Sequence, residues 1–219
     1  AVQLNNGVFF LKDHIDGSSN LSFIINYFDS PSSQKKTTKG QKFTVSLERI
    51  ILNDLRFRYK NLKYNEKING INFEDVDIKE LNGIFDDIDT QEHLLKAHIK
   101  NLTFKEKSGF YLKNLTALAT VDSNAIELKE LMLATYKTRI TDYYQMRFNS
   151  FSDFKDYENK VSMKANFKNS HISLSDIAYF APALKKMALD VELDGEVNGL
   201  VNNLKAKDLT VKAGWGTFI

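Results

Sequence analysis

The stretch Leu52-Asn53-Asp54-Leu55-Arg56-Phe57 contains the pattern on which the fold depends: an apolar residue, two polar residues, Leu, any residue, and then usually an apolar residue. The pattern recurs along the chain. Further copies are Ile99-Lys-Asn-Leu102-Thr-Phe104, Leu112-Lys-Asn-Leu115-Thr-Ala117, Leu128-Lys-Glu-Leu131-Met-Leu133 and Val201-Asn-Asn-Leu204-Lys-Ala206, and Phe73-Glu-Asp-Val76-Asp-Ile78 is a variant.

Apolar and polar residues alternate around these copies. Leu55, Phe57 and Tyr59, for example, alternate with Arg56 and Arg58. Because successive side chains of a strand point to opposite faces, each such segment has one apolar and one polar face. Sheets with one polar face are usually antiparallel. The chain also has only 2 Pro but 16 Phe and 9 Tyr, which favours long strands. The sequence therefore predicts a mainly β fold.

The two adjacent polar residues of each copy shift the alternation by one position. In a flat strand, this shift would turn the following apolar residues to the wrong face. A β-bulge or a sharp bend at the polar pair returns them to the apolar side. We therefore expect an elongated, curved antiparallel sheet, shaped like a groove or taco, with its apolar face on the concave side. The alternative is a β-sandwich in which the polar pairs are hairpin corners.

We expect residues 1–219 to form a single β-rich fragment of a larger protein. The chain begins at Ala1-Val2 without an initiator Met, and no boundary demands two domains. Residues 30–40 are a polar loop by composition. A short helix is expected near residues 175–185, with Ser173 or Ser175 as cap and Pro182 as its limit. A second short helix is predicted over residues 20–28.

Composition argues against several classes of function. Lys and Arg total 30 against 28 Asp and Glu, so no concentrated basic field indicates a nucleic-acid partner. The chain has no Cys, which excludes disulfides, thiolate catalysis and Cys-ligated zinc. The longest apolar stretch, residues 177–184, is far shorter than the ~20 residues of a spanning helix.

Motifs for catalysis or metal binding are missing. The sequence has no Walker phosphate loop and no Gly-x-Ser-x-Gly elbow. His93 and His98 lie five residues apart and fall on opposite faces of a strand, which does not suit a metal pair. The acidic segment at residues 86–89 lacks the ligand series of a calcium loop. We expect no enzyme activity, no cofactor and no metal.

Several segments resemble the TamB-type (translocation and assembly module) proteins of the AsmA-like superfamily, most closely their Bacteroidota-type versions. The segments are Asn169-Ser-His-Ile-Ser-Leu-Ser-Asp-Ile-Ala-Tyr-Phe-Ala-Pro-Ala-Leu184, Val191-Glu-Leu-Asp-Gly195-Glu-Val-Asn-Gly199-Leu-Val-Asn-Asn-Leu204, Leu102-Thr-Phe-Lys-Glu-Lys-Ser108-Gly109-Phe110, Leu131-Met-Leu-Ala-Thr135 and Asn20-Leu-Ser-Phe-Ile-Ile-Asn-Tyr-Phe28. The resemblance covers most of the chain, and its motifs are degenerate.

This resemblance implies a periplasmic location, with an N-terminal anchor in the inner membrane that lies outside this chain. It implies a long β groove with an apolar lumen that carries phospholipid toward the outer membrane. It also implies an outer-membrane β-barrel partner of the TamA kind in outer-membrane protein assembly. The C-terminal region expected to meet that partner is missing from this sequence.

On this basis we expect a bridge-like lipid-transfer segment whose apolar residues shield acyl chains, with headgroups near Lys96, Lys100 and Lys113. The residues expected to line the groove are Phe43, Val45, Leu47, Leu55, Phe57, Ile99, Phe104, Leu112, Val191 and Leu193. The alternative function is a periplasmic scaffold, in which an open sheet edge pairs with strands of an outer-membrane client.

Overall fold

The structure, a computed structural model, describes residues 1–20, 46–64, 69–91, 94–187, 189–214 and 217–218. Most of these residues lie in β-strands. The strands are β1 (Val2–Asn5), β2 (Val8–Asp13), β3 (Ser46–Asn61), β4 (Asp75–Gln91), β5 (Leu94–Glu106), β6 (Tyr111–Leu112), β7 (Asn114–Val121), β8 (Ala125–Ala134), β9 (Arg139–Arg147), β10 (Ser162–Ser173), β11 (Asp190–Leu200), β12 (Asn203–Ala213) and β13 (Thr217–Phe218). The expected loop at residues 30–40, the expected helix at residues 20–28, and His93 lie outside the described residues.

All of these strands belong to one large, open sheet. Its order is β1-β3-β4-β5-β7-β8-β9-β10-β11-β12-β13, with β2 also paired to β3 and β6 to β5. The edge strands β1 and β2 run parallel to β3, and the other pairs are antiparallel. The prediction of a mainly β, mostly antiparallel fold with one or two short helices is confirmed.

The sheet is neither closed nor curled. In the described residues the alternative of a β-sandwich is wrong, because the strands form one sheet rather than two packed layers. The expected curling into a groove is also not observed in this chain. The strand order begins at β1 and ends at β13, and these two edges are not paired with each other. The bulges bend individual strands without bringing those edges together.

Bulges occur at the polar pairs of the repeat, as predicted. In β3 the pairing register shifts between Leu52 and Leu55, and in β8 it shifts between Leu128 and Leu131. In β5 the register shift leaves Lys100 unpaired with β4. In the next copy the strand is interrupted at Lys113, between β6 and β7. In the copy at residues 201–204, residues 201 and 202 form the β11–β12 turn, and in the variant at residues 73–76, residues 73 and 74 form the turn that leads into β4. These two are corners of the kind that the alternative interpretation expected.

The bulges line up across the sheet from β3 to β12, and we call this row the bulge line. Several of its residues have the left-handed backbone that Asp and Asn tolerate better than most side chains. Those with φ between 48° and 96° are Asp54, Glu80, Glu130, Asp142, Asn169 and Asp208. Gly195 in β11 has φ 124°. Each bulge that contains such a residue therefore costs local strain that the surrounding pairing must offset.

The bulge line keeps the apolar residues on one side of the sheet. Leu52 pairs with Gly83 and Leu55 with Leu81, two residues apart on β4, so Leu52 and Leu55 share a face despite the intervening polar pair. Several buried apolar side chains lie next to this line: Leu55, Ile99, Ala117, Leu131, Phe167 and Val197. Part of the core is thus a strip along the bend, and other buried residues, such as Val161 and Phe110, lie where the connections pack against the sheet.

The helices lie in two long connections between adjacent antiparallel strands, which we call the first and the second crossover. The first crossover (residues 148–161) joins β9 to β10 through a 3-10 helix, Phe151–Asp156, and α1 (Tyr157–Lys160). The second crossover (residues 174–187) follows β10 with α2 (Leu174–Ile177) and a 3-10 helix, Pro182–Lys186. Neither is long or apolar enough to cross a membrane, and nor is any other helix in the described part of the chain.

Candidate functional site

The largest surface with a consistent chemical character is the apolar side of the sheet, which we call the apolar face. It is defined by register, because residues paired across strands share a side. Its members include Val2, Leu4, Phe9, Ile50, Leu52, Leu55, Phe57, Ile78, Leu81, Phe85, Leu95, Ile99, Leu102, Phe104, Leu112, Leu115, Val121, Ile126, Leu128, Leu133, Ile140, Tyr144, Met146, Met163, Phe167, Ile172, Val191, Leu193, Val197, Leu204, Leu209 and Val211.

Exposure on this face rises away from the bulge line. Leu55 and Ala117 are each only 2% exposed. Leu95, at the start of β5, is 42% exposed, and Leu204, at the start of β12, is 46% exposed. Val2, Leu4 and Phe9 on the edge strands are also exposed. The apolar face therefore has a packed central strip with uncovered apolar side chains toward the edges and ends.

Seven of the ten residues predicted to line a groove lie on the apolar face. They are Leu55, Phe57, Ile99, Phe104, Leu112, Val191 and Leu193. Leu47 pairs with Ile88 of β4, which is only 6% exposed. Phe43 and Val45 are outside the described residues.

The lysines expected near headgroups do not form one group. Lys96 pairs with Asp89 on the face opposite Ile99, and Lys100 is exposed at the β5 bulge. Lys113 is exposed at the break between β6 and β7, with its Nζ 5.6 Å from the centre of the Tyr136 ring. The structure thus spreads these cations over separate regions instead of placing them along one rim.

The first crossover lies against the apolar face. The hydroxyl of Tyr157 in α1 is 2.6 Å from that of Tyr144 in β9. Burial raises the pKa of Tyr144 well above its ordinary value, and burial likewise raises the pKa of Tyr157. Phe154 packs edge-on against Phe148, with ring centres 5.0 Å apart. This crossover covers the face near one end of β9 and β10.

The second crossover lies against the same face at the other end. Ile177 packs against the buried cluster formed by Ala165, Phe167, Ile172 and Val197. Asp176 is buried, and its carboxylate accepts hydrogen bonds from the Thr135 hydroxyl and from the Lys137 N–H. The crossover is therefore tied both to β10 and to the β8–β9 turn.

The second crossover also reaches the β3–β4 connection. The Ile71 N–H donates to the Tyr179 carbonyl at 2.8 Å. Phe110 lies between the strands and this crossover, with ring centres 5.7 Å from Tyr179 and 5.1 Å from Phe180. The repeat pattern did not predict this aromatic contact. The sequence Ser108-Gly109 before Phe110 is typical of a turn, but contacts between distant segments leave no local pattern from which the packing on Tyr179 could be predicted.

The opposite face is polar and carries ion pairs between β3 and β4. Arg49 Nε lies 2.6 Å from Asp86 Oδ1, and one Arg56 terminal nitrogen lies 2.6 Å from Asp77 Oδ2. The hydrogen bonds from these guanidinium groups hold the pKa of Asp77 and of Asp86 below the usual carboxyl value. The sheet thus has one apolar and one charged side.

Within the described ranges, no group of His, Asp and Glu side chains is arranged to hold a metal ion. Comparison of the chain with protein-family models, with curated proteins and with solved structures finds no match. The resemblance to TamB-type proteins therefore stays a prediction.

Proposed function

We propose that this chain is a segment of a bridge-like lipid-transfer protein of the periplasm, held at the inner membrane by an anchor outside the chain. In this proposal the apolar face shields phospholipid acyl chains between the inner and outer membranes. The observation that carries the proposal is the continuity of the apolar face across the bulge line, from β1 to β12. No catalytic step, cofactor or metal is part of it.

The energetic need for such a face follows from the hydrophobic effect. Exposing acyl chains to water costs about 0.8 kcal/mol for each CH₂ group, so a lipid with roughly 30 such groups needs on the order of 20 kcal/mol of compensation. A continuous apolar surface supplies that compensation at each point of a path. Because hydrophobic contact has little directionality, a lipid moves along it without breaking specific bonds.

In this proposal the lipid path runs across the strands. The crossovers cover the apolar face at β9 and β10, where Ala165 and Phe167 are nearly fully buried, and the uncovered apolar side chains lie toward the sheet edges and the strand ends. Strands are spaced by about 4.8 Å, which gives a path of about 40 Å from β1 to β12. That length exceeds the ~15 Å acyl layer of one bilayer leaflet. In the longer protein, this sheet would form one wall of an elongated, curved groove.

Bound lipid is the direct test. Native mass spectrometry of gently purified protein is expected to detect phospholipid on the wild-type chain. The double variant Leu95→Asp with Leu204→Asp places charges at exposed positions of the apolar face, and we expect at least about a tenfold loss of bound lipid because a carboxylate is costly to desolvate. The matched control is Leu118→Asp with Met132→Asp, two exposed apolar residues on the opposite face.

Equal lipid occupancy in the two double variants, with both folded by circular dichroism, would count against acyl shielding by this face. So would the absence of any bound phospholipid on the wild-type protein and in the full-length protein.

A second candidate function rests on the β12 edge. Residues 203–211 of β12 pair with β11 on one side, and on the other side β13 pairs only with residues 212 and 213. An unpaired strand edge is a template for another strand. A scaffold for outer-membrane proteins, working with a TamA-like barrel, would use this edge. Photo-crosslinks from residues 205 and 207 to client strands, on protein that carries no lipid, would favour this function over lipid transfer.

A further inference from the structure

One end of the sheet gathers several connections, and we call it the turn end. The end of β2 and the β3–β4, β5–β6 and β8–β9 connections lie there together with the second crossover. Backbone hydrogen bonds join them: the Leu62 N–H donates to the Asp13 carbonyl at 2.9 Å, and the Ile71 N–H donates to the Tyr179 carbonyl at 2.8 Å. The Lys137 N–H donates to Asp176 at 3.2 Å. The turns are thus fixed to one another rather than independent.

Large apolar side chains point outward from the tips of these connections. Ile15 is 74% exposed, Tyr136 is 70% exposed, and Met187 is 54% exposed. Other exposed apolar residues of the same connections are Tyr64, Phe73 and Phe180. Single exposed apolar residues are ordinary, but a group gathered at one end of a molecule marks an interaction surface.

Lysines stand beside these apolar tips. Lys63 precedes Tyr64, Lys137 follows Tyr136, and residues 185 and 186, both Lys, precede Met187; all four lysines are exposed. Two carboxylates of this end are directed inward. Glu106 is buried and accepts from the Ser108 N–H at 2.7 Å, and Asp176 is buried beneath the β8–β9 turn. Two others, Asp16 and Asp190, are exposed. The outermost layer of the turn end therefore combines apolar groups with more lysines than carboxylates.

Two turns at the opposite end of the sheet differ in composition from the turn end, although the first crossover at that same end carries Phe148, Phe154, Tyr157 and the exposed Lys160. The β7–β8 connection is Asp122-Ser123-Asn124, and the β11–β12 turn contains Val201 and Asn202. Asp122 accepts hydrogen bonds from the N–H groups of residues 124 and 125. In these two turns, no aromatic side chain and no lysine is present.

We propose that the turn end docks onto an anionic phospholipid bilayer surface. Exposed apolar and aromatic tips suit the interface between headgroups and acyl chains, and lysines near an anionic surface each contribute to binding. Four exposed lysines against the exposed Asp16 and Asp190 leave these tips with a net positive charge, which complements that surface. This proposal goes beyond lipid transfer, because it assigns a membrane contact to a set of turns and does not depend on acyl chains binding the apolar face.

Vesicle co-sedimentation tests the proposal. The probe is a set of vesicles of phosphatidylcholine alone and of phosphatidylcholine with about a third phosphatidylglycerol. Wild-type protein is expected to bind the anionic vesicles and to be released as salt rises, because surface charges are screened. Removal of one lysine is expected to weaken binding about fivefold, so Lys185→Glu with Lys186→Glu should weaken it at least about tenfold.

The apolar contribution is tested by the triple variant Ile15→Ser, Tyr136→Ser and Met187→Ser, which should also lose at least about tenfold in binding. These side chains are exposed, so the fold should be retained, which thermal unfolding checks. The matched controls at or near the opposite end are Lys205→Glu with Lys207→Glu, and Leu118→Ser with Val201→Ser.

Wild-type binding that is lost in both turn-end variants and kept in both controls supports the docking surface. Equal losses in the controls, or no binding of wild-type protein to anionic vesicles at low salt, overturns it. Bound lipid seen by mass spectrometry is a separate readout: the turn-end variants should keep it, so failure of docking and failure of acyl shielding are distinguishable.

Discussion

The bulge line is built differently at its two sides. Near β3 it uses Asp54 in the left-handed region, and the Asp54 N–H donates to Asn82 Oδ1 at 2.9 Å. The Asn82 amide in turn donates to the Glu80 carbonyl at 2.8 Å. Near β11 the line uses Gly195, where a Cβ atom would lie 2.3 Å from the Asp208 carbonyl oxygen. In β3 a side chain, Asn82, accepts the hydrogen bond from the N–H at the bulge. In β11 there is no room for any side chain at Gly195.

This difference indicates which bulge positions of the fold tolerate substitution. An αL residue with a polar side chain costs local strain of order 1 kcal/mol, which nearby hydrogen bonds reduce. A close backbone approach leaves no room for repacking, because the neighbouring atom is a carbonyl rather than a flexible side chain. We therefore expect the fold to tolerate substitution of Asp54 in β3 and to be destabilised by substitution of Gly195 in β11.

The largest effect is expected for Gly195→Ala. The added methyl group collides with the β12 backbone, and φ 124° is unfavourable for Ala. We expect a loss of more than about 4 kcal/mol in the free energy of unfolding, which leaves little folded protein. Asp54→Gly is the matched change on the other side and should alter stability by no more than about 1 kcal/mol. Urea denaturation of both variants measures the difference, and similar losses would remove the contrast.

The next effect concerns packing beside the line. Phe167 in β10 is 8% exposed and belongs to the cluster that Ile177 covers. Phe167→Ala should cost about 3 to 4 kcal/mol, because it removes buried area and leaves a cavity. Phe57 in β3 is only partly buried, so Phe57→Ala should lower the free energy of unfolding by about half as much. Chemical denaturation compares the two, and a larger loss at Phe57 would show that the core lies toward β3.

A smaller effect is expected where a side chain satisfies the β3 bulge. Asn82→Ala removes the acceptor of the Asp54 N–H and the donor to Glu80. The expected loss is about 1 kcal/mol, the usual net value of a hydrogen bond, because this one is exposed to solvent. Faster amide exchange at residue 54 should accompany it. Unchanged exchange would mean that water replaces the amide without cost.

The smallest effect concerns the ion pair between Arg56 and Asp77. Arg56 holds the pKa of Asp77 below its usual value, so the pair stabilises the fold at neutral pH and this stability is lost as pH falls below about 4. Because Arg56 is partly exposed, Asp77→Asn should cost less than about 1 kcal/mol at pH 7. Wild type and variant should converge in urea midpoint near pH 2, and a constant difference would contradict the assignment.

Sequence reasoning predicted local features better than global ones. The polar pairs at Asn53-Asp54 and Lys129-Glu130 were recognisable as bulges because alternation is a local signal. Curling depends on contacts between distant strands, and the packing of Tyr179 against Phe110 depends on a crossover, so neither could be found from spacing alone.

The bulge in β12 has a consequence for aggregation. Asp208 interrupts the regular pairing of an edge strand, with φ 49° and a register shift toward β11. A straight strand from an unrelated chain would match this edge on one side of Asp208 and fall out of step beyond it. The bulge in this edge strand therefore disfavours the addition of flat, amyloid-like strands, and it allows pairing with a strand that bends at the same position.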